Sequence, residues 1–92
     1  MAKRKLVEQN ERRYVTVLAR GYSQQFSDFV TRDLKHFGIK SDGGGYMFNT
    51  DEQDVGGVAP DVESAKAARD YFKLFPGVKA SCETYFDYVG AP

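Results

Sequence analysis

The chain of 92 residues has no tryptophan, one cysteine, one histidine and three prolines. A lone Cys82 excludes an intrachain disulfide and gives an oxidising compartment no support. A lone His36 leaves nucleophilic catalysis little to work with, because a Ser-His or Cys-His device would need that single imidazole brought to a serine or to Cys82. The reading of the residues favours a dipole-stabilised surface role for His36 beside Lys35, and a small buried hydrophobe for Cys82. No Cys and His set exists for zinc. No stretch approaches the roughly 20 apolar residues of a membrane span. Polar residues from Glu8 to Glu11 interrupt any leader after Met1-Ala2-Lys3-Arg4-Lys5. These absences predict a soluble, cytoplasmic, non-enzymatic protein with no cofactor and no metal.

What is present is a charge split inside a formal net charge of zero. Residues 1 to 40 hold nine Lys or Arg against four Asp or Glu, a balance of +5, and residues 41 to 92 hold four against nine, a balance of −5. Such asymmetry between halves is a sequence-level sign of a charged partner. The length fits one domain. Six Tyr and seven Phe, with Val and Leu, must supply its core.

Residues 1–11 read as a basic N-terminal arm. From Arg12 to Gly21, Tyr14-Val15-Thr16-Val17-Leu18-Ala19 has the β-branched and aromatic content of a strand. The spacing of Tyr22, Phe26, Phe29, Val30, Leu34 and Phe37 then predicts one helical face. Ser23 is the expected N-cap, Asp28 and Arg32 an i,i+4 pair, and Gly38 the left-handed stop with Ile39 folding back beyond it. Asp42-Gly43-Gly44-Gly45 reads as a flexible break, Tyr46 to Asn49 as a short strand, and Asp51 to Asp54 as a turn. Val55 to Ala59 reads as a return strand with an irregularity at Gly56-Gly57. Asp61 is the N-cap of a second helix, with Glu63 in its first turn and Val62, Ala65, Ala68, Phe72 and Phe75 on its buried face. Pro76-Gly77 ends it. From Val78 to Val89 the chain alternates, with Val78, Ala80, Cys82, Thr84, Phe86 and Tyr88 on one parity.

The order β-α-β-β-α-β predicts a single α+β domain of ferredoxin-like type: one four-stranded antiparallel sheet with both helices on one face. The first and last strands are expected side by side at its centre. The helix-free face would then show Arg12, Tyr14, Thr16, Leu18 and Arg20 beside Lys79, Tyr85 and Asp87.

Two chemistries fail on spacing. Asp42-Gly43-Gly44-Gly45 lacks the Gly-Lys-Ser/Thr ending of a phosphate loop, and a strand follows where a helix is required. Asp51, Glu52 and Asp54 lack the ligand ladder, central Gly and distal Glu of a calcium loop. Binding surfaces remain. A basic patch of Lys3, Arg4, Lys5, Arg12, Arg13 and Arg20 and an acidic patch of Asp51, Glu52, Asp54, Asp61 and Glu63 are the candidate partner contacts. Tyr14 and Tyr85, flanked by Arg12 and Arg20, are candidate base-stacking residues. Exposed sheet aromatics stack on single-stranded bases while basic groups follow phosphates. The RNA-binding signature Lys/Arg-Gly-Phe/Tyr-Gly/Ala-Phe-Val-x-Phe/Tyr is absent, and Gly44-Gly45-Tyr46-Met47-Phe48 departs from it.

In size, neutral total charge, split surface, element order and lack of catalytic groups, the whole chain resembles phage-encoded anti-CRISPR proteins that act on type I surveillance complexes. The resemblance carries no motif, so it transfers no residue role. It implies stoichiometric docking on a host protein or protein-RNA complex in the bacterial cytoplasm, without a membrane. The alternatives are a single-stranded RNA or DNA-binding module using Tyr14 and Tyr85, and a small enzyme using His36.

Overall fold

The structure, a computed structural model, describes the backbone of residues 9–88 and the side chains of residues 13–83. Six elements follow one another: β1 (Gln9–Arg20), α1 (Gln24–Leu34), β2 (Lys40–Met47), β3 (Glu52–Ala59), α2 (Val62–Phe72) and β4 (Val78–Tyr88). The four strands form one antiparallel sheet in the order β2-β3-β1-β4. This is the expected α+β architecture. β1 and β4 are neighbours, but among the described residues β1 and β3 hold the centre and β4 is an edge, which corrects the expected placement.

Local chemistry sets the helix limits. The Ser23 hydroxyl accepts from the Phe26 N–H at 3.2 Å, and Asp61 accepts from the Ser64 N–H at 2.7 Å, each satisfying a donor that a helix start leaves open. After α1 a 3₁₀ turn covers Lys35–Phe37, and Gly38 then takes φ +74°. The Ile39 N–H folds back to the Leu34 carbonyl at 3.1 Å, and Ile39 is fully buried. Tyr22 lies before α1 and is 65% exposed, so it leaves the expected buried face. The expected Asp28–Arg32 pair does not form. Asp28 accepts from Gln24 Nε2 at 3.0 Å, whereas Arg32 donates to Asp33 at 2.9 Å.

The core lies between the helices and one sheet face, where Val15 and Val17 of β1, Val55 and Ala59 of β3 and Ala80 of β4 meet Val30, Leu34, Ala65, Ala68 and Phe72. Alternation along β1 puts the even positions on the other face. Two buried polar groups add fixed ties, Gln53 between β3 and the start of α1 and Asp33 between the two helices. Gln53 accepts from the Ser23 N–H at 2.8 Å, and Asp33 takes the Tyr71 hydroxyl and the Arg32 Nε–H.

The glycine-rich segments depart from expectation. Residues 42–45 run inside β2 and are no break, and β3 begins at Glu52, leaving only Asp51 of the expected acidic turn outside a strand. β3 is continuous through Gly56-Gly57. The register shift falls on β2, where Ser41 faces Gly57 and Gly43 faces Gly56, so Asp42 is the extra residue of a bulge. The physical reason is close approach: a Cβ on Gly44 would sit 2.0 Å from the Asp54 carbonyl oxygen, and one on Gly57 2.4 Å from that of Lys40. Glycine here lets two strands meet; it does not loosen a loop.

Candidate binding surfaces

The helix-free face carries Tyr14, Thr16 and Leu18 of β1 across from Glu83, Ser81 and Lys79 of β4, and from Val58, Gly56 and Asp54 of β3. Tyr14 does not stand clear of it. A Cβ on Gly56 would lie 3.0 Å from Tyr14 Cε1, so the ring lies over the glycine, and its hydroxyl reaches past β3 to donate to Asp42 Oδ1 at 2.7 Å. The bulge is what aims Asp42 there. Burial, then the hydrogen bond to Asp42, then the charges of Asp42 and Asp54 push the Tyr14 phenol up to about 12. Position 85 shares this face by register, opposite position 12; the Tyr85 side chain lies outside the described residues.

The acidic set is divided. Asp51, Glu52 and Asp54 stand where β3 begins, whereas Asp61 and Glu63 stand at the start of α2, beyond the far end of that eight-residue strand. At about 3.3 Å per residue this separates the two groups by roughly 25 Å. Three of the carboxylates have partners inside the protein. Asp51 accepts from the Tyr46 hydroxyl and lies 3.8 Å from Arg20 Nε. Asp54 accepts from the Gly45 N–H at 3.0 Å, and Asp61 caps α2, whose N–H groups hold its carboxyl below the usual range.

The basic set is also divided. Lys3, Arg4 and Lys5 lie outside the described residues, as does the Arg12 side chain. Consecutive residues of a strand face opposite ways, so positions 12 and 13 do not share a face. Arg13 has the parity of Val15 and its Nε is buried, with no hydrogen-bond partner among the described residues. Arg20 is exposed at the other end of β1, next to the β2–β3 turn. Among the described residues no three His, Cys, Asp or Glu side chains come together as a metal site. His36 is exposed, and Cys82 is half-buried with Arg69 Nη1 at 3.7 Å from its sulfur.

One surface was not anticipated from the sequence. Tyr46 lies between Tyr22 and Phe48, with ring centroids at 6.0 and 5.5 Å. Phe48 is 89% exposed and Met47 44%. This aromatic tip caps the β2–β3 hairpin on the same end of the sheet as Asp51, Glu52 and Asp54. The signal available in the sequence was the apolar run Tyr46-Met47-Phe48 directly before a polar turn, more apolar than a half-buried strand end needs. Asp51 holds the turn at φ +54°, and its carbonyl accepts from the Gly21 N–H at 2.8 Å, fixing the tip to the end of β1. Among the described residues no helix is long and apolar enough to cross a membrane. No family model, no curated protein and no solved structure matches this chain.

Proposed function

We propose that this protein is a non-enzymatic binding protein whose contact surface is the aromatic tip of the β2–β3 hairpin with its acidic rim. The observation that carries this reading is the exposure of Phe48, Met47 and Tyr22 around a Tyr46 held in place by Asp51. Aromatic anchors set on rigid elements are the groups that dominate protein interfaces. The rim of Asp51, Glu52 and Asp54 matches a basic surface on the partner. A host protein-RNA complex of the CRISPR surveillance kind offers such surfaces along its nucleic-acid-binding channels, and docking there is a stoichiometric block. Protein contact is favoured over direct RNA stacking because Tyr14 lies down on Gly56, and Asp42, Glu52, Asp54 and Glu83 would oppose phosphates on its face.

The test is co-purification with a reconstituted type I surveillance complex, with and without nuclease. Phe48→Ala is expected to weaken retention about thirtyfold, the effect of losing a hot-spot residue, and Glu52→Lys to weaken it further at low salt. Retention that is unchanged in both variants, or that nuclease abolishes and Tyr14→Ala weakens, overturns the reading, the latter in favour of RNA binding.

A further inference from the structure

The two edges of the sheet are not equivalent. β2 is eight residues long and carries the bulge at Asp42, a feature that blunts an edge against pairing. β4 runs eleven residues in unbroken register with β1 from Val78 to Tyr88, and among the described residues no strand lies on its outer side. Lys79, Ser81 and Glu83 alternate along it on the helix-free face, and all three are exposed. An edge this long and regular is a template for another strand unless charge opposes it.

We propose that β4 pairs antiparallel with β4 of a second copy of this chain, about a two-fold axis at Ser81. Residues facing each other in that register have numbers symmetric about 81. Lys79 of each copy then faces Glu83 of the other, twice, and Ala80 faces Cys82 on the helix side. A register centred on Lys79 sets that lysine against itself, one centred on Glu83 faces Lys79 with Asp87 but sets Glu83 directly against Glu83 on the axis, and those centred on Ala80 or Cys82 face neither Lys79 nor Glu83 with an opposite charge. Opposed charges across neighbouring strands stabilise pairing and like charges oppose it. The register also carries residues 85–88 of each copy alongside the turn at 73–77 of the other, where Leu74 stands 79% exposed. The product is a continuous sheet of order β2-β3-β1-β4-β4-β1-β3-β2, closed by its symmetry, with a hairpin tip at each outer edge. The pairing is independent of what those tips bind.

Sedimentation equilibrium of the full chain across a concentration series tests it. A reversible dimer is expected, weakened about tenfold by Lys79→Glu and by Glu83→Lys, each of which sets like charges opposed at two places. The double reversal Lys79→Glu with Glu83→Lys is expected to restore it. Thermal melting of each variant separates loss of pairing from loss of fold. In a Cys82→Ala background, Ser81→Cys is expected to form an intersubunit disulfide on mild oxidation, since residues on the axis have Cα separations within disulfide range. A monomer at every concentration, a dimer indifferent to the charge swaps, or a Ser81→Cys variant that stays reduced overturns the proposal.

Discussion

Tyr14 and Asp42 form a pair that no local rule announces. They are 28 residues apart and meet on the helix-free face, where a bulge places Asp42 and Gly56 leaves room for a ring. Because the Tyr14 phenol is pushed up to about 12, the folded state favours its neutral form. That contribution to stability is complete below about pH 10, the ordinary value, and is lost as pH rises from there towards 12. Asp42→Asn removes the negative charge, so the Tyr14 titration is expected to move back towards 10. The difference in tyrosinate absorbance between each protein and its Tyr14→Phe counterpart measures it. Asp33 shows the opposite sign. Burial would push its carboxyl up, but the Tyr71 hydroxyl, the Arg32 bond and the charges of Arg32 and His36 outweigh burial and hold it below the usual range. Its contribution is therefore present above about pH 4 and lost as pH falls below that. Asp33→Ala strands the Tyr71 hydroxyl at the α1–α2 contact and is expected to cost about 1–3 kcal/mol at neutral pH. Urea unfolding at pH 7 and at pH 3 should show that difference shrinking in acid.

At the scale of elements, most of the fold was legible. Ser23, Gly38 and Asp61 act within three or four residues of themselves, so capping rules locate them correctly from sequence. The alternation from Val78 onward likewise gives β4 its faces. The glycine segments were not legible, because glycine's low strand propensity is a statement about entropy and packing. It says nothing of whether a neighbouring backbone needs the space. Gly56 needs it, since a Cβ there would lie 2.4 Å from the Val15 carbonyl oxygen. Gly45 does not, its nearest atom being an Asp54 carboxylate oxygen at 3.6 Å. Gly56→Ala is accordingly expected to lose about 1–3 kcal/mol through displacement of β1 from β3, whereas Gly45→Ala should stay within about 0.5 kcal/mol. Denaturant midpoints of the two variants compare them directly. The hairpin tip escaped for a different reason: apolar residues in sequence point to the core by default, and only tertiary placement reveals that Phe48 has no core to enter.

For the whole molecule, the charge split does not survive as two poles. β1 from the basic half lies between β3 and β4 from the acidic half, and Arg20 meets Asp51 across that boundary. Stability must then come from a small core, and its composition names the weak point. The fully buried side chains are mostly Val, Ala, Leu and Ile, and Phe72 is the largest of them. It stands edge-on to Phe29 at 5.7 Å and to Tyr71 at 5.0 Å, linking α1 to α2 through one ring. Removing a buried Phe costs about 3–5 kcal/mol, against a total of about 5–15 kcal/mol for a typical domain. At about 4–8 °C per kcal/mol for a domain of this size, Phe72→Ala is expected to lower the melting temperature by at least about 12 °C. Leu74→Ala, two residues on but 79% exposed, should leave the melting of the dilute monomer nearly unchanged. Scanning calorimetry at low protein concentration separates them. Equal losses in both would mean that the turn after α2, and not the ring between the helices, holds the two helices together.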